Sequence, residues 1–512
     1  MKIIPSLSAL MLLWLATAVP AQPWPVSQPE AQGLDSAALG LMSDRIRSGE
    51  LGNIDAVAVV RHGVLVHQET YNGHDGGLLP VFSVTKSVGS VLMGMLVNDG
   101  LLDISRPHLE YFPEYQPVAS PQGKSDLTVE HLLMQRHGYA WDEWSTDYED
   151  PANPVSRVHS GPDWFRNMLD WPLSDAPGSR FAYCTGASTL MSGFIRNLTG
   201  MTTQDFAQQR LFQPLGIGQV HWESVGRNRQ INGGFADWPF GTAPLGFGLW
   251  LTAPDMARIG QLYLDQGLWQ GERLVPEAWV TASTASYSNG VTDPETFGDG
   301  GGGHGYQWWT GHMTDTTGRT FRMFYASGWG RQYILVFPEL DLVVTTQAGD
   351  FDYEGPGIGA GLRQNILPSI ASPEGFRTRL DASLNGSWYD PAQDGQGLNV
   401  EVLEDRGEVL VYWYTYQGSA GQAGEQRWFI AQGPIQQEAA SLTIRATRGG
   451  RFAQPQQPDL TVWGQGELSF TSCSQGLFRF ESESENVSAD ISLVRLTGAD
   501  RCTTDAGQQA VR

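Results

Sequence analysis

The sequence predicts an α+β fold, an antiparallel sheet with a helical insertion, followed by a C-terminal all-β domain. Three observations predict it. β-Rich runs occupy both ends of the first 370 residues, with helical and loop patterns between them. Beyond residue 385 the style changes to short β-runs split by Gly-rich turns. A length of 512 residues also exceeds one ordinary domain.

The elements follow in order. Residues 1–21 read as a signal peptide: Lys2 supplies a positive start, Ile3 to Leu15 is mostly apolar, and Ala21 ends a small-residue cleavage site. The apolar run is too short to span a membrane, and no later run approaches about 18 apolar residues, so no membrane span is expected. The expected location is periplasmic or secreted. Residues 22–370 form the first domain. In it, Ala56 to Val60 and Val64 to Val66 flank Arg61-His62-Gly63 as a hairpin. A helix follows Ser83, with apolar residues at Val88, Val91, Leu92, Met95 and Leu96 as one buried face. Asn98-Asp99-Gly100 ends it. A second apolar helix covers Ala187 to Leu198. Strands return at Tyr333 to Phe337 and Leu342 to Thr346. Residues 371–385 read as a linker, 386–500 as the all-β domain and 501–512 as a tail.

Composition narrows the partners. With 41% hydrophobic and 17% charged residues the chain has the material for a core. Its formal net charge of −23 repels phosphates, which excludes nucleic acid and anionic lipid as partners. The partner is expected to be a small-molecule amide or ester substrate.

Ser83-Val84-Thr85-Lys86 carries the chemistry. Three-residue spacing on a helix puts the hydroxyl and the amine on one face. The helix N-terminus favours a developing negative charge. A buried lysine loses its proton near neutral pH, whereas arginine does not. Only three lysines occur, Lys2, Lys86 and Lys124, against 29 arginines. A chain that prefers arginine so strongly still places lysine three residues after Ser83. Tyr183 is the candidate second proton carrier, in a loop just before a helix. Trp141, Trp144, Trp308, Trp309 and Trp329 lie near these segments and are candidate walls of an apolar pocket. No G-x-S-x-G or H-E-x-x-H occurs, and His131 and His137 have no metal-ligand spacing, so neither metal nor cofactor is expected. Among three cysteines, Cys473 and Cys502 are the expected disulfide and Cys184 a small buried side chain.

These residues resemble a known family. Phe82-Ser83-Val84-Thr85-Lys86-Ser87 resembles the serine motif of class C β-lactamase-related serine hydrolases, in the 6-aminohexanoate-dimer hydrolase-like branch. Leu127 to Leu133, Tyr183-Cys184-Thr185, Gly248 to Arg258 and Ala326 to Gln332 match further motifs in order. The resemblance implies a β-lactamase/penicillin-binding-like sheet and an acyl-enzyme on Ser83. Lys86 and Tyr183 would shuttle its proton, and the N–H groups of Ser83 and Trp329 would form the oxyanion hole. Thr185, Ser327, Gly328 and Arg331 would bind substrate. The family's cation on its third motif is Ala326 here, which points away from β-lactams and cell-wall peptides; Arg331 either supplies the missing cation or is an outward-facing sheet arginine. The alternatives are a D,D-peptidase or β-lactamase, and a non-catalytic binding protein on the same fold. Gly386 to Gly397 and Val411 to Tyr416 resemble a β domain of exported proteobacterial proteins. Its aromatics alternate, so either the face of Tyr412, Tyr414 and Tyr416 or that of Val411 and Trp413 is open to solvent; an exposed aromatic face would suit polysaccharide or surface contact, and a small sandwich core is the preferred alternative.

Overall fold

The computed structural model describes residues 24–222, 241–291, 302–370, 380, 382–390, 395–416, 426–436, 439–448, 459–470, 475–482 and 484–496. The expected signal peptide, the tail, and Cys473 and Cys502 lie outside the described residues.

The first domain is built on a seven-stranded antiparallel sheet drawn from both ends of the domain. Strands β1 (Ile54–Arg61) and β2 (Val64–Thr70) form the expected hairpin. Its turn residues His62 and Gly63 both take positive φ, 52° and 70°, the backbone of a two-residue hairpin turn that matches strand twist. The other strands are β3 (Gly303–His304), β4 (Trp309–Thr314), β5 (Thr320–Gly328), β6 (Gln332–Phe337) and β7 (Leu342–Ala348). Their order across the sheet is β2-β1-β7-β6-β5-β4-β3. The early hairpin pairs with the last strand, Val59 opposite Val344, so the sheet closes around everything between them.

Each face of this sheet carries a core. Alternation sends Ala56, Ala58, Phe324, Ala326, Ile334 and Val336 to one face, and Val57, Val59, Tyr325, Tyr333, Leu335 and Val344 to the other. The second face is covered by α1 (Ser36–Arg47), through Leu39, Met42 and Ile46, and by Ile358, Leu362 and Ile366 of the helical stretch after the sheet. The first is covered by α2 (Val84–Asn98) and α5 (Ala253–Leu264). Helices α3 (Val129–Leu133) and α4 (Thr185–Thr199) belong to the insertion packed beyond them.

The sequence predicts one buried face on α2, but every residue from Val84 to Leu96 is buried. The insertion wraps the side that would otherwise meet water. Small residues make this enclosure fit: a Cβ at Gly94 would lie 2.5 Å from Trp279 Cδ1.

The C-terminal domain is a closed, consecutive eight-stranded antiparallel barrel, which replaces the sandwich considered from the sequence. Its strands are β8 (Gly386–Tyr389), β9 (Gly397–Leu403), β10 (Glu408–Tyr416), β11 (Gln426–Gln436), β12 (Ala439–Arg448), β13 (Asp459–Phe470), β14 (Gln475–Ser482) and β15 (Val487–Arg495). β8 pairs with β15, Trp388 opposite Arg495, so no edge is left open. Leu380 and Leu384, inside the expected linker, are buried in the barrel core; the module therefore begins before residue 386. β13 and β14 carry too weak an alternation to be read in advance.

Candidate active site

Ser83 stands at the entry to α2. Val81 N–H donates to Leu249 O at 2.8 Å, and Phe82 takes φ 44°, a left-handed conformation costly for an aromatic residue. This sharp turn makes Ser83 the N-cap residue and leaves it partly exposed above a buried helix. One turn on, Lys86 Nζ donates to Ser83 Oγ at 2.9 Å and to Gly246 O at 2.7 Å. Burial pushes the lysine down to about 8, and the charge of Glu143 works against that shift. The amine thus sits buried within hydrogen-bond reach of the Ser83 hydroxyl. His159 and His304 also sense Lys86, and burial pushes them down to about 4 and about 3, so both are neutral around pH 7.

Tyr183 closes a third side. Its ring centroid lies 4.8 Å from Lys86 Nζ, and it stacks between Trp144 at 5.2 Å and Trp309 at 5.8 Å. Gln135 fixes the tyrosine on both flanks. Its carbonyl accepts from Ala182 N at 2.9 Å and its side-chain Oε1 from Cys184 N at 2.8 Å. Gln135 Nε2 in turn donates to Ser188 Oγ and to Gln307 Oε1, and Ser87 Oγ donates to the Gln307 carbonyl. One buried polar network therefore ties α2, α4 and the Tyr183 segment together. Cys184 is free and buried, its thiol pushed well up by desolvation, as a small core residue would be.

The end of β5 forms the fourth side. Pairing with β4 stops at Tyr325 opposite Trp309, while pairing with β6 continues to Gly328 opposite Gln332. At Gly328 any side chain would collide: a Cβ would lie 2.3 Å from Val81 O and 3.2 Å from Ser83 N. This close approach brings the backbone leading into Trp329 beside the Ser83 amide. Trp329 packs edge-on against Phe82 at 5.5 Å and against Phe351 at 4.9 Å.

Three expected substrate-binding residues stand differently from expectation. Arg331 is not turned to the cleft. It pairs with Asp350 at 3.0 Å and donates to Glu354 O and Gly355 O, because its left-handed backbone (φ 69°) aims it at the loop after β7. Thr185 is buried, with both its N–H and its hydroxyl given to Glu143. Ser327 is nearly buried, on the strand face shared with Tyr325 and Tyr333 rather than the face of Ala326 and α2. The tryptophans divide as well. Trp144, Trp309 and Trp329 adjoin the site, Trp141 donates to Glu143, and Trp308 packs on Tyr263 and Phe324 in the core.

Sequence reasoning missed Gln135, Gln307 and Glu143. The two glutamines owe their roles to positive φ, 57° and 63°, which no local signal announces. Glu143 sits between two tryptophans that were noticed, but nothing distinguishes it from Asp142 beside it.

A family model described as Beta-lactamase matches residues 54–356, more than half of the chain. The chain is similar to a 6-aminohexanoate-dimer hydrolase of Paenarthrobacter ureafaciens, 25% identical over 241 residues, covering 45% of this chain and 57% of that protein. It is also similar to esterase EstB of Burkholderia gladioli, 25% identical over 210 residues, covering 37% of this chain and 53% of that protein. These matches span little more than half the length of either relative. Among solved structures, EstCE1, described as a hydrolase with promiscuous acyltransferase activity, aligns with a TM-score of 0.50 at 14% identity, over 66% of this chain and 98% of that one. That likeness concerns the fold. The matched region runs from the first strand of the sheet to beyond its last and takes in the helix headed by Ser83, so the chain belongs to the Beta-lactamase family.

Proposed function

We propose that this chain is a serine hydrolase that cleaves uncharged, apolar esters or amides through an acyl-enzyme on Ser83. The observation that carries the reading is a buried lysine amine 2.9 Å from that hydroxyl. Neutral Lys86 takes the Oγ proton as the oxygen attacks the carbonyl carbon. The negative charge that develops on the carbonyl oxygen is received by the N–H groups of Ser83 and Trp329. The tetrahedral intermediate then collapses, and Lys86 and Tyr183 relay the proton to the departing oxygen or nitrogen. Water attacks the ester by the reverse relay and frees Ser83. Ala326 offers no charge and Arg331 is held by Asp350, so a substrate carboxylate finds no partner among these residues. The aromatic walls Trp144, Trp309 and Trp329 favour apolar groups.

The test is labelling of the full chain by a fluorophosphonate, with p-nitrophenyl ester turnover followed against pH. Ser83→Ala is expected to abolish the label, and Lys86→Arg to lower kcat/KM on the order of 10³-fold. In the unmodified protein kcat/KM rises with pH through about 8, because the lysine must first lose its proton. A label that survives Ser83→Ala would refute the reading. Turnover of nitrocefin in preference to esters would favour the β-lactamase alternative.

Export through the N-terminal segment is part of the proposal, with a mature chain expected to begin at Gln22. The barrel is proposed to contact a neutral polysaccharide. Tyr414, Tyr416 and Trp428 are 49%, 40% and 46% exposed on its outer face, and Tyr414 and Trp428 are cross-strand partners. A net charge of −23 disfavours an anionic partner.

A further inference from the structure

We propose that Glu143 is a positioning residue of this site: its carboxylate latches the loop carrying Trp141, Trp144 and Tyr148 to the start of α4 and supplies the fixed negative charge that Lys86 faces. The inference rests on the hydrolase reading above.

The geometry is specific. Glu143 is 1% exposed, and its two oxygens have different partners. Oε2 accepts from Trp141 Nε1 at 2.7 Å and from Thr185 N at 2.7 Å. Oε1 accepts from Thr185 Oγ1 at 2.8 Å and from Tyr148 OH at 2.9 Å. The Glu143 carbonyl also accepts from Asn153 Nδ2 at 3.1 Å. The latch therefore joins a loop to the residue two places after Tyr183, while Trp144, the residue next to Glu143, stacks on Tyr183. Moving Glu143 would move both the proton carrier and the wall against it.

A buried carboxylate near a buried amine favours the ammonium form. The other titratable groups facing Lys86 do not replace that charge. His159, from the segment before α4, and His304, on β3, are held neutral by burial, the Cys184 thiol is pushed up by burial, and Tyr183 presents its ring face. Removing the Glu143 charge therefore makes the lysine easier to deprotonate.

The division of partners supplies a clean test. Both partners of Oε2 are N–H groups, which only donate, whereas both partners of Oε1 are hydroxyls, which also accept. A glutamine with its oxygen at the Oε2 place and its amide nitrogen at the Oε1 place would keep four hydrogen bonds with the hydroxyls reversed. Glu143→Gln thus removes the charge and keeps the latch. The readout is the rate of Ser83 labelling by a fluorophosphonate against pH. In Glu143→Gln the acid limb is expected to move down by about half a unit or more, with a high-pH plateau reduced less than tenfold. In Glu143→Asp, which keeps the charge but shortens the reach, the limb is expected to stay while the plateau falls further. A Gln variant that folds with its limb unmoved, or that does not fold, overturns the inference. Ser83-dependent labelling with an unmoved limb leaves the hydrolase reading standing; absence of Ser83-dependent labelling removes both.

Discussion

Arg331 shows how a single residue type carries opposite meanings until its surroundings are known. In sequence it stands two places after Trp329, where a cation would meet an anionic substrate. In the structure its guanidinium and the Asp350 carboxylate are both largely shielded from water and pair at 3.0 Å. Removing one member of such a pair strands the other, at a cost of about 3 kcal/mol. Arg331→Ala is therefore expected to lower stability by that amount in urea denaturation and to leave KM unchanged from the parent protein for carboxylate-bearing and for neutral esters alike. A tenfold rise in KM confined to the carboxylate substrate would restore the sequence expectation. Lys86 is the converse case: its place beside the Ser83 hydroxyl was legible from the spacing, and it drew attention because lysine is so rare in this chain. Rarity alone does not mark catalysis, since Lys124 is also fully buried, donating to Leu169 O far along the chain from Ser83.

At the scale of elements, α2 is the helix that presents Ser83, and it is buried without a break from Val84 to Leu96. Its glycines set how closely its neighbours approach, and they differ. At Gly89 the nearest atom to an added Cβ is Met191 Cε, the mobile end of a flexible side chain, at 2.6 Å. At Gly94 it is the Trp279 ring, whose Nε1 is tied to Ser90 O at 3.0 Å. Alanine gains about 1 kcal/mol of helix propensity at either place. Overpacking costs about 1–3 kcal/mol where the neighbour cannot yield. Gly94→Ala is thus expected to destabilise the protein and Gly89→Ala to be better tolerated, as compared by midpoints in urea. The reverse order would mean that Trp279 moves more freely than its hydrogen bond implies. The same helix explains a partial reading from sequence: the 3.6-residue apolar period was visible, but full burial depends on an insertion that begins after the helix ends.

At the scale of the whole molecule, among the described residues a hydrogen bond joins the barrel to the first domain, Gln475 Nε2 donating to Pro338 O at 2.7 Å. Pro338 follows β6 at the end away from Gly328 and Ser83. Work on the barrel's outer face should therefore leave chemistry in solution untouched. The double variant Tyr414→Ser, Trp428→Ser is expected to keep ester turnover and to lose co-sedimentation with an insoluble neutral polysaccharide such as cellulose or chitin. Equal sedimentation of both proteins would remove the proposed contact. Alternation along Val411 to Tyr416 announced that one face would point inward and one outward, and Trp413 and Val411 are indeed inside while Tyr414 and Tyr416 are outside. It did not announce closure into a barrel, which requires the last strand to meet the first.

By itself the sequence determined the order of elements, the α+β class of the first domain, the all-β character of the second, and the adjacency of Ser83 and Lys86. Each of these is written in local periodicity or in spacing along one helix, so neighbouring residues suffice to state it. Only the tertiary structure decided that Gln135 would hold Tyr183, that Glu143 would take both donors of Thr185, that Arg331 would be given to Asp350, and that Gly328 would press against the Ser83 turn. Those contacts join residues 19 to 245 positions apart or depend on positive backbone angles, and their energies arise from burial that no short stretch of chain carries.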